Sequence, residues 1–147
     1  MATSPAYYGD FGDCDQPTLN TVADYIVAAR TELQDEVPDY RYDDASLLTD
    51  LNMTMLLAHK WRADLFVYNI KYKGQAPSFQ AVDDTYVEIE VPFRVDILNG
   101  LIGHAFKRDQ EDVQDQRATS YLNMFSMGLT GRAVYAVAGG SASGGGP

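Results

Sequence analysis

From Pro92 to Leu129 the apolar positions recur every three to four residues. Ile97, Leu98, Leu101, Ile102 and Ala105 make one stripe, and Ala118, Tyr121, Leu122, Phe125 and Leu129 make a second. Each stripe predicts a helix with one buried face. Pro92 suits a first helical turn, where a missing N–H costs nothing. Asp109, Glu111 and Asp112 place negative charge where the next helix begins and its dipole is positive. The segment reads as a helical hairpin with helices near residues 92–107 and 111–129.

An earlier stretch repeats this build. Thr18 to Glu36 carry Val22, Ile26, Ala29 and Leu33 on one stripe, and Asp44 to Arg62 carry Leu47, Leu48, Leu51, Met55 and Ala58 on another. Between them, in VPDYRYDD, Pro38 is expected to stop the first helix, and Asp43 or Asp44 to cap the second by accepting a free backbone N–H. The pattern predicts a mainly α fold, a four-helix bundle of two helical hairpins with helices near 17–36, 44–62, 92–107 and 111–129. Leu33, Leu51, Leu101, Leu122 and Phe125 belong to its expected core. Gly100 and Gly103, inside the third helix, each cost about 1 kcal/mol relative to alanine and predict close approach of another backbone.

The period changes between the hairpins. Tyr68, Ile70 and Tyr72 alternate with other residues, as do Val87, Ile89 and Val91, which predicts an inserted two-stranded β-ribbon over about 68–91. The connecting GQAPSFQAVDD is too long for a tight turn, so the ribbon would end in an exposed loop near Phe79. A lone two-stranded ribbon is marginal in water and implies support from the bundle or another chain. Tyr72, Phe79 and Tyr86 are therefore candidates for contact with a tail component or a neighbouring copy; the competing reading folds the tip back onto its own domain.

Both ends look different from the 17–130 domain. Residues 1–16 hold Pro5, Gly9, Gly12 and scattered Asp without helical period and read as an extended leader. Tyr7, Tyr8 and Phe11 are three aromatics in five residues there. Either they pack on the bundle or a neighbouring subunit, or the leader is plainly disordered. After the helix stop at Gly131, residues 131–147 read as a flexible tail that begins with the apolar, β-prone AVYAVA. Val134, Tyr135 and Val137 either dock into a partner by strand addition or pack back onto the bundle.

At 147 residues and 16.3 kDa the chain fits one domain. No apolar run approaches the roughly 20 residues of a membrane-spanning helix, and the start lacks the regions of a secretory signal, so a soluble protein made in the cytosol is expected, with no membrane partner. The formal charge of −10, from 21 acidic and 11 basic residues, is spread over both halves and argues against a groove that grips nucleic-acid phosphates.

The sequence offers little chemistry. A nucleophile built on Cys14 would lie in the leader, where nothing fixes its geometry, and His59 and His104 read as packed or surface residues. Two histidines and one cysteine make no zinc cluster, and the Asp-rich stretches lack the spacing of a calcium loop. No catalytic, cofactor-binding or metal-ligating residue is assigned.

The run TVADYIVAARTELQDEVPDYRYDDASLLTDLNMTMLLAHKWRADLF, followed by PFRVDILNGLIGHAFKRDQEDVQDQRATSYLNMFSMGL, resembles the head-to-tail adaptor (connector) proteins of tailed bacteriophages. The marks are the helix ending in LQD, the YRYDDASLLTDLN start of the second, the WRADLF exit, and HAFKRDQED at the elbow with ATSYLNMF beyond; they cover most of residues 20–129. The resemblance implies a virion protein without enzymatic activity or cofactor, made in the host cytoplasm. It would form a ring, usually of twelve copies, beneath the portal of the DNA-filled head, with a tail or nozzle protein below and DNA passing without specific binding. The residues themselves, and not the resemblance, make Val134, Tyr135 and Val137 the candidates for portal docking and Tyr7, Tyr8 and Phe11 the candidates for contacts between subunits. Ala63 stands where relatives often carry proline, which puts the bend after the second helix in question, and the leader and tail lie outside the shared part. The reading from another class is a small regulatory or ligand-binding helical domain acting as monomer or dimer.

Overall fold

The computed structural model describes residues 19–109 and 112–135. They are mainly helical, with α1 (Val22–Leu33), α2 (Asp44–Trp61), α3 (Arg94–Asp109) and α4 (Asp112–Thr130). Thr21 starts α1 with a reciprocal cap. Its hydroxyl accepts from the Asp24 N–H at 3.2 Å, and Asp24 Oδ2 accepts from the N–H groups of Asn20 and Thr21 at 3.0 Å. The helix therefore begins beyond the expected Thr18. It also ends early, at Leu33, because Gln34 turns left-handed (φ 57°) and returns its N–H to the carbonyls of Arg30 and Thr31. Pro38 lies past this stop and does not make it. Asp43 caps α2 by accepting from the Ser46 N–H at 2.7 Å.

A buried arginine shapes the link from α1 to α2. Arg30 donates to Asp35 at 3.0 Å, to the Tyr42 carbonyl at 2.7 Å and to Asp44 at 2.6 Å, and the Tyr40 ring stacks 3.8 Å from its guanidinium. Asp35 also accepts from the N–H groups of Arg41 and Tyr42. Three acceptors and one aromatic face thus surround this cation, which satisfies a charge that would otherwise be costly to bury.

Helix α3 is the central element and packs most extensively against α4, then α2 and α1. Helices α1 and α2, expected as a hairpin, meet each other only sparsely and are held together largely through α3. Leu33, Leu51, Leu101, Leu122 and Phe125 are all buried, as the periodicity predicts. Gly100 and Gly103 explain the close fit. A Cβ at Gly100 would stand 2.6 Å from Thr54 Cγ2, and one at Gly103 would stand 2.7 Å from Leu122 Cγ and 3.0 Å from its backbone nitrogen.

The bend after α2 forms with Ala63 and needs no proline. Arg62 leaves helical geometry (φ −140°, ψ 65°), and a single 3-10 turn, Ala63–Phe66, follows. Its guanidinium grips both Asp64 oxygens at 2.9 Å, donates to the Leu129 carbonyl at 2.9 Å and sits 5.3 Å from the Phe93 ring centre. One side chain thereby ties the exit of α2 to the end of α4.

The expected ribbon is not present among the described residues. The Tyr68 to Tyr72 arm is a series of turns, closed by Lys73 (φ 56°) and Gly74 (φ 78°), with the Gly74 carbonyl 2.9 Å from His59 Nε2. The second arm is extended, but its partner is the approach to α1: Val22 N–H donates to the Thr85 carbonyl at 3.0 Å and Val87 N–H to the Asn20 carbonyl at 2.8 Å, forming one antiparallel bridge between Thr21 and Tyr86. Val87 and Ile89 then point into the core. Phe79, expected at an exposed tip, is only 4% exposed. Asn52 brackets it, accepting from its N–H at 2.9 Å and donating to its carbonyl at 3.0 Å, and so folds the loop back on α2.

Candidate interaction surface

Arg94, at the start of α3, fixes one wall of the most exposed apolar corner. It donates to Ile89 O at 3.0 Å, to Asn20 Oδ1 at 2.6 Å and to the Tyr86 hydroxyl at 3.0 Å, which pins the extended segment against the approach to α1. With Val87 and Ile89 inward, alternation turns Tyr86 and Glu88 outward. The facing wall is the turn after the 3-10 segment, where Tyr68 is 91% and Ile70 89% exposed. Shielding a side chain of this size from water is worth about 1.5–3 kcal/mol, so two such groups left in water are a substantial unused driving force. Between the walls lies an open cleft of about 200 Å³ lined by Tyr68, Ile70, Lys71, Tyr72, Tyr86 and Glu88. A second hollow shares Tyr68, Tyr86 and Glu88 and runs on past Asn69 to Glu90.

The backbone of this wall is half used. Because Thr85 C=O and Val87 N–H face α1, the N–H and C=O of Tyr86 between them face the opposite edge, where no described residue pairs with them. Among the described residues two buried side-chain polar atoms lack a partner, Asn69 Nδ2 and the Tyr25 hydroxyl. Asn69 borders the second hollow, and its Nδ2 has no acceptor although its Oδ1 takes the Tyr72 N–H at 3.4 Å. Tyr25 lies close enough to Arg94 and Tyr86 to feel both, and burial pushes its hydroxyl well above the ordinary tyrosine value. Each unpaired buried group costs about 1–3 kcal/mol.

Of the residues singled out by sequence, Tyr72 and Tyr86 meet at this cleft, and Phe79 lies beneath Tyr72 with ring centres 6.3 Å apart, as core. Tyr68, Ile70 and Asn69 were missed as site residues. Their signal was an alternation without an opposing strand, read as a ribbon. Tyr135 is elsewhere, half-buried against Trp61 with ring centres 6.3 Å apart, and its N–H donates to Asn123 Oδ1 at 3.0 Å. The beginning of the tail therefore packs back on the bundle, while Val134 stays half exposed. Tyr7, Tyr8, Phe11 and Val137 lie outside the described residues.

The two histidines and the buried Asp50 have structural partners. His104 is 2.9 Å from the Thr54 hydroxyl, and burial lowers its basicity; His59 packs on Phe66 at 5.5 Å between ring centres. Asp50 is buried with Arg108 donating to both its oxygens, and desolvation still raises its carboxyl above the usual range. Among the described residues no three His, Cys, Asp or Glu side chains come together to hold a metal, and no helix is long and apolar enough to cross a membrane. No family model, curated protein or solved structure matches the chain.

Proposed function

We propose that this chain is a virion structural protein, a head-to-tail adaptor whose copies form a ring between the portal of a DNA-filled head and the tail. The observation that carries this reading is the exposed pair Tyr68 and Ile70 on a domain whose own core is closed. We read that pair as a surface for contact with protein. The ordered resemblance of residues 20–129 to connector proteins gives that contact its setting, and in those proteins the ring usually has twelve copies. Further support comes from the far end of α4, where Met124, Met127 and Val134 are also exposed, giving the domain apolar faces for more than one neighbour.

In this reading the Tyr68–Tyr86 corner meets a neighbouring copy or the tail protein, and the strip from Val134 to Val137 reaches the portal with Tyr135 as its anchor on Trp61. Many weak tails docking together bind more tightly than one, because after the first docks the rest act at high effective concentration. The net charge of −10 suits a wall past which DNA slides, since phosphates are repelled from it. The test is co-sedimentation with DNA-filled, portal-bearing heads that lack the protein. An adaptor sediments with the heads and permits tail joining; protein left at the top of the gradient contradicts the reading.

A further inference from the structure

The cleft between Tyr68 and Tyr86 has the features of a receptor for an extended chain. It offers a backbone N–H and C=O at Tyr86 on an edge without a described partner, flanked by apolar side chains on the opposite wall.

We infer that the occupant is the Tyr7–Phe11 segment of a second copy of this chain, laid along the Tyr86 edge with its aromatic side chains against Tyr68 and Ile70. Three observations select it. The described chain begins at Leu19, and Asn20 is bonded to Val87, so the leader of every copy departs from this very corner. Fully extended, the nine residues from Asn20 back to Phe11 span about 30 Å and the thirteen back to Tyr7 about 45 Å, enough to reach an adjacent domain. The composition also fits: Pro5, Gly9 and Gly12 disfavour a helix, Tyr7, Tyr8 and Phe11 supply apolar area, and the inferred alignment sets Asp10 beside Lys71 rather than beside Glu88, the other charge that lines the cleft. Asn20, from which the leader departs, is bonded on one edge of the extended segment, while the edge offered at Tyr86 is the opposite one. A contact from one copy to the next uses both edges and repeats around a closed ring. This inference rests on the ring reading and names its subunit contact.

Disulfide trapping in the full-length chain tests it. In a Cys14→Ser background, one population carries Asp10→Cys and a second carries Lys71→Cys, so neither change removes a proposed aromatic or aliphatic contact. Mixed under mild oxidation, the two should yield a disulfide-linked dimer at least tenfold in excess of a mixture in which Val27→Cys replaces Lys71→Cys. Adding Tyr68→Ser and Ile70→Ser to the acceptor should cut the yield about tenfold with an unchanged circular dichroism spectrum, since both side chains stand in water. Three outcomes overturn the inference. One is a yield no greater than the Val27 control, and another is a yield indifferent to Tyr68 and Ile70. The third is a chain carrying both cysteines that closes only on itself, which makes its own leader the occupant. Electron micrographs of the same samples separate the two claims: rings without the cross-link refute the leader contact alone, and cross-linked pairs without rings refute the adaptor ring alone.

Discussion

The carboxylate of Asp96 on α3 lies where a Cβ at Gly128 of α4 would stand, with Oδ1 1.9 Å and Cγ 2.1 Å from that point. Only glycine lets the end of α4 pass this close to α3. Gly128→Ala gains helix propensity but must push the Asp96 side chain aside, and overpacking of this kind costs about 1–3 kcal/mol. A urea titration should show the midpoint moving down with an unchanged slope.

Asp96 also sets a pH dependence. Burial alone raises its carboxyl above the usual value, and no described residue hydrogen-bonds it. The folded state therefore holds this proton more tightly than the unfolded chain does. The stability it contributes is present below the unfolded carboxylate value of about 4 and is lost as pH rises through the raised one. Asp96→Asn should match the parent protein in strong acid and become the more stable of the two as pH approaches neutrality, read from thermal melts across that range. An equal difference at all pH values would show that the carboxyl is not responsible.

Phe79 and Asn52 hold the long loop on α2. Phe79→Ala is expected to cost about 3–5 kcal/mol, because a buried ring is removed. Asn52→Ala should cost about 1–3 kcal/mol, since it strands a backbone N–H and a carbonyl. Proteolysis should cut first within 75–84 in both variants, and Tyr68→Ser should leave stability unchanged.

The helices were legible because their apolar residues repeat every three to four positions and local groups cap them. Asp43 and Gly131 acted where their chemistry predicts. The segment from Tyr68 to Val91 was not legible, because alternation reports a half-buried extended segment without saying what it pairs with. Val87 and Ile89 do alternate inward, yet the segment pairs through Thr85 and Val87 with Asn20 and Val22, far away in sequence. Phe79 looked exposed because its neighbours are polar, and the Asn52 amide that brackets it lies 27 residues away. Arg30 and Asp50 occupy positions beside apolar stripes that polarity assigns to the surface, and only their partners in space reveal why they are buried.

The tail divides into an anchored start and the residues beyond it. Deleting residues 136–147 should preserve the Tyr135–Trp61 contact and the melting temperature while releasing the protein from DNA-filled heads. Deleting 132–147 should in addition lower stability, because Trp61 and Ser126 lose their cover and partners. Full retention of the shorter deletion on heads, seen by sedimentation, would place the portal contact on the helices.

The adaptor reading is tested most directly by electron microscopy of the purified full-length protein mixed with isolated portal rings. The account predicts an added ring of density on the tail-facing side of the portal, with the rotational symmetry of the connector. Portal rings unchanged in outline, beside a protein that remains a 16.3 kDa monomer in solution, would contradict it.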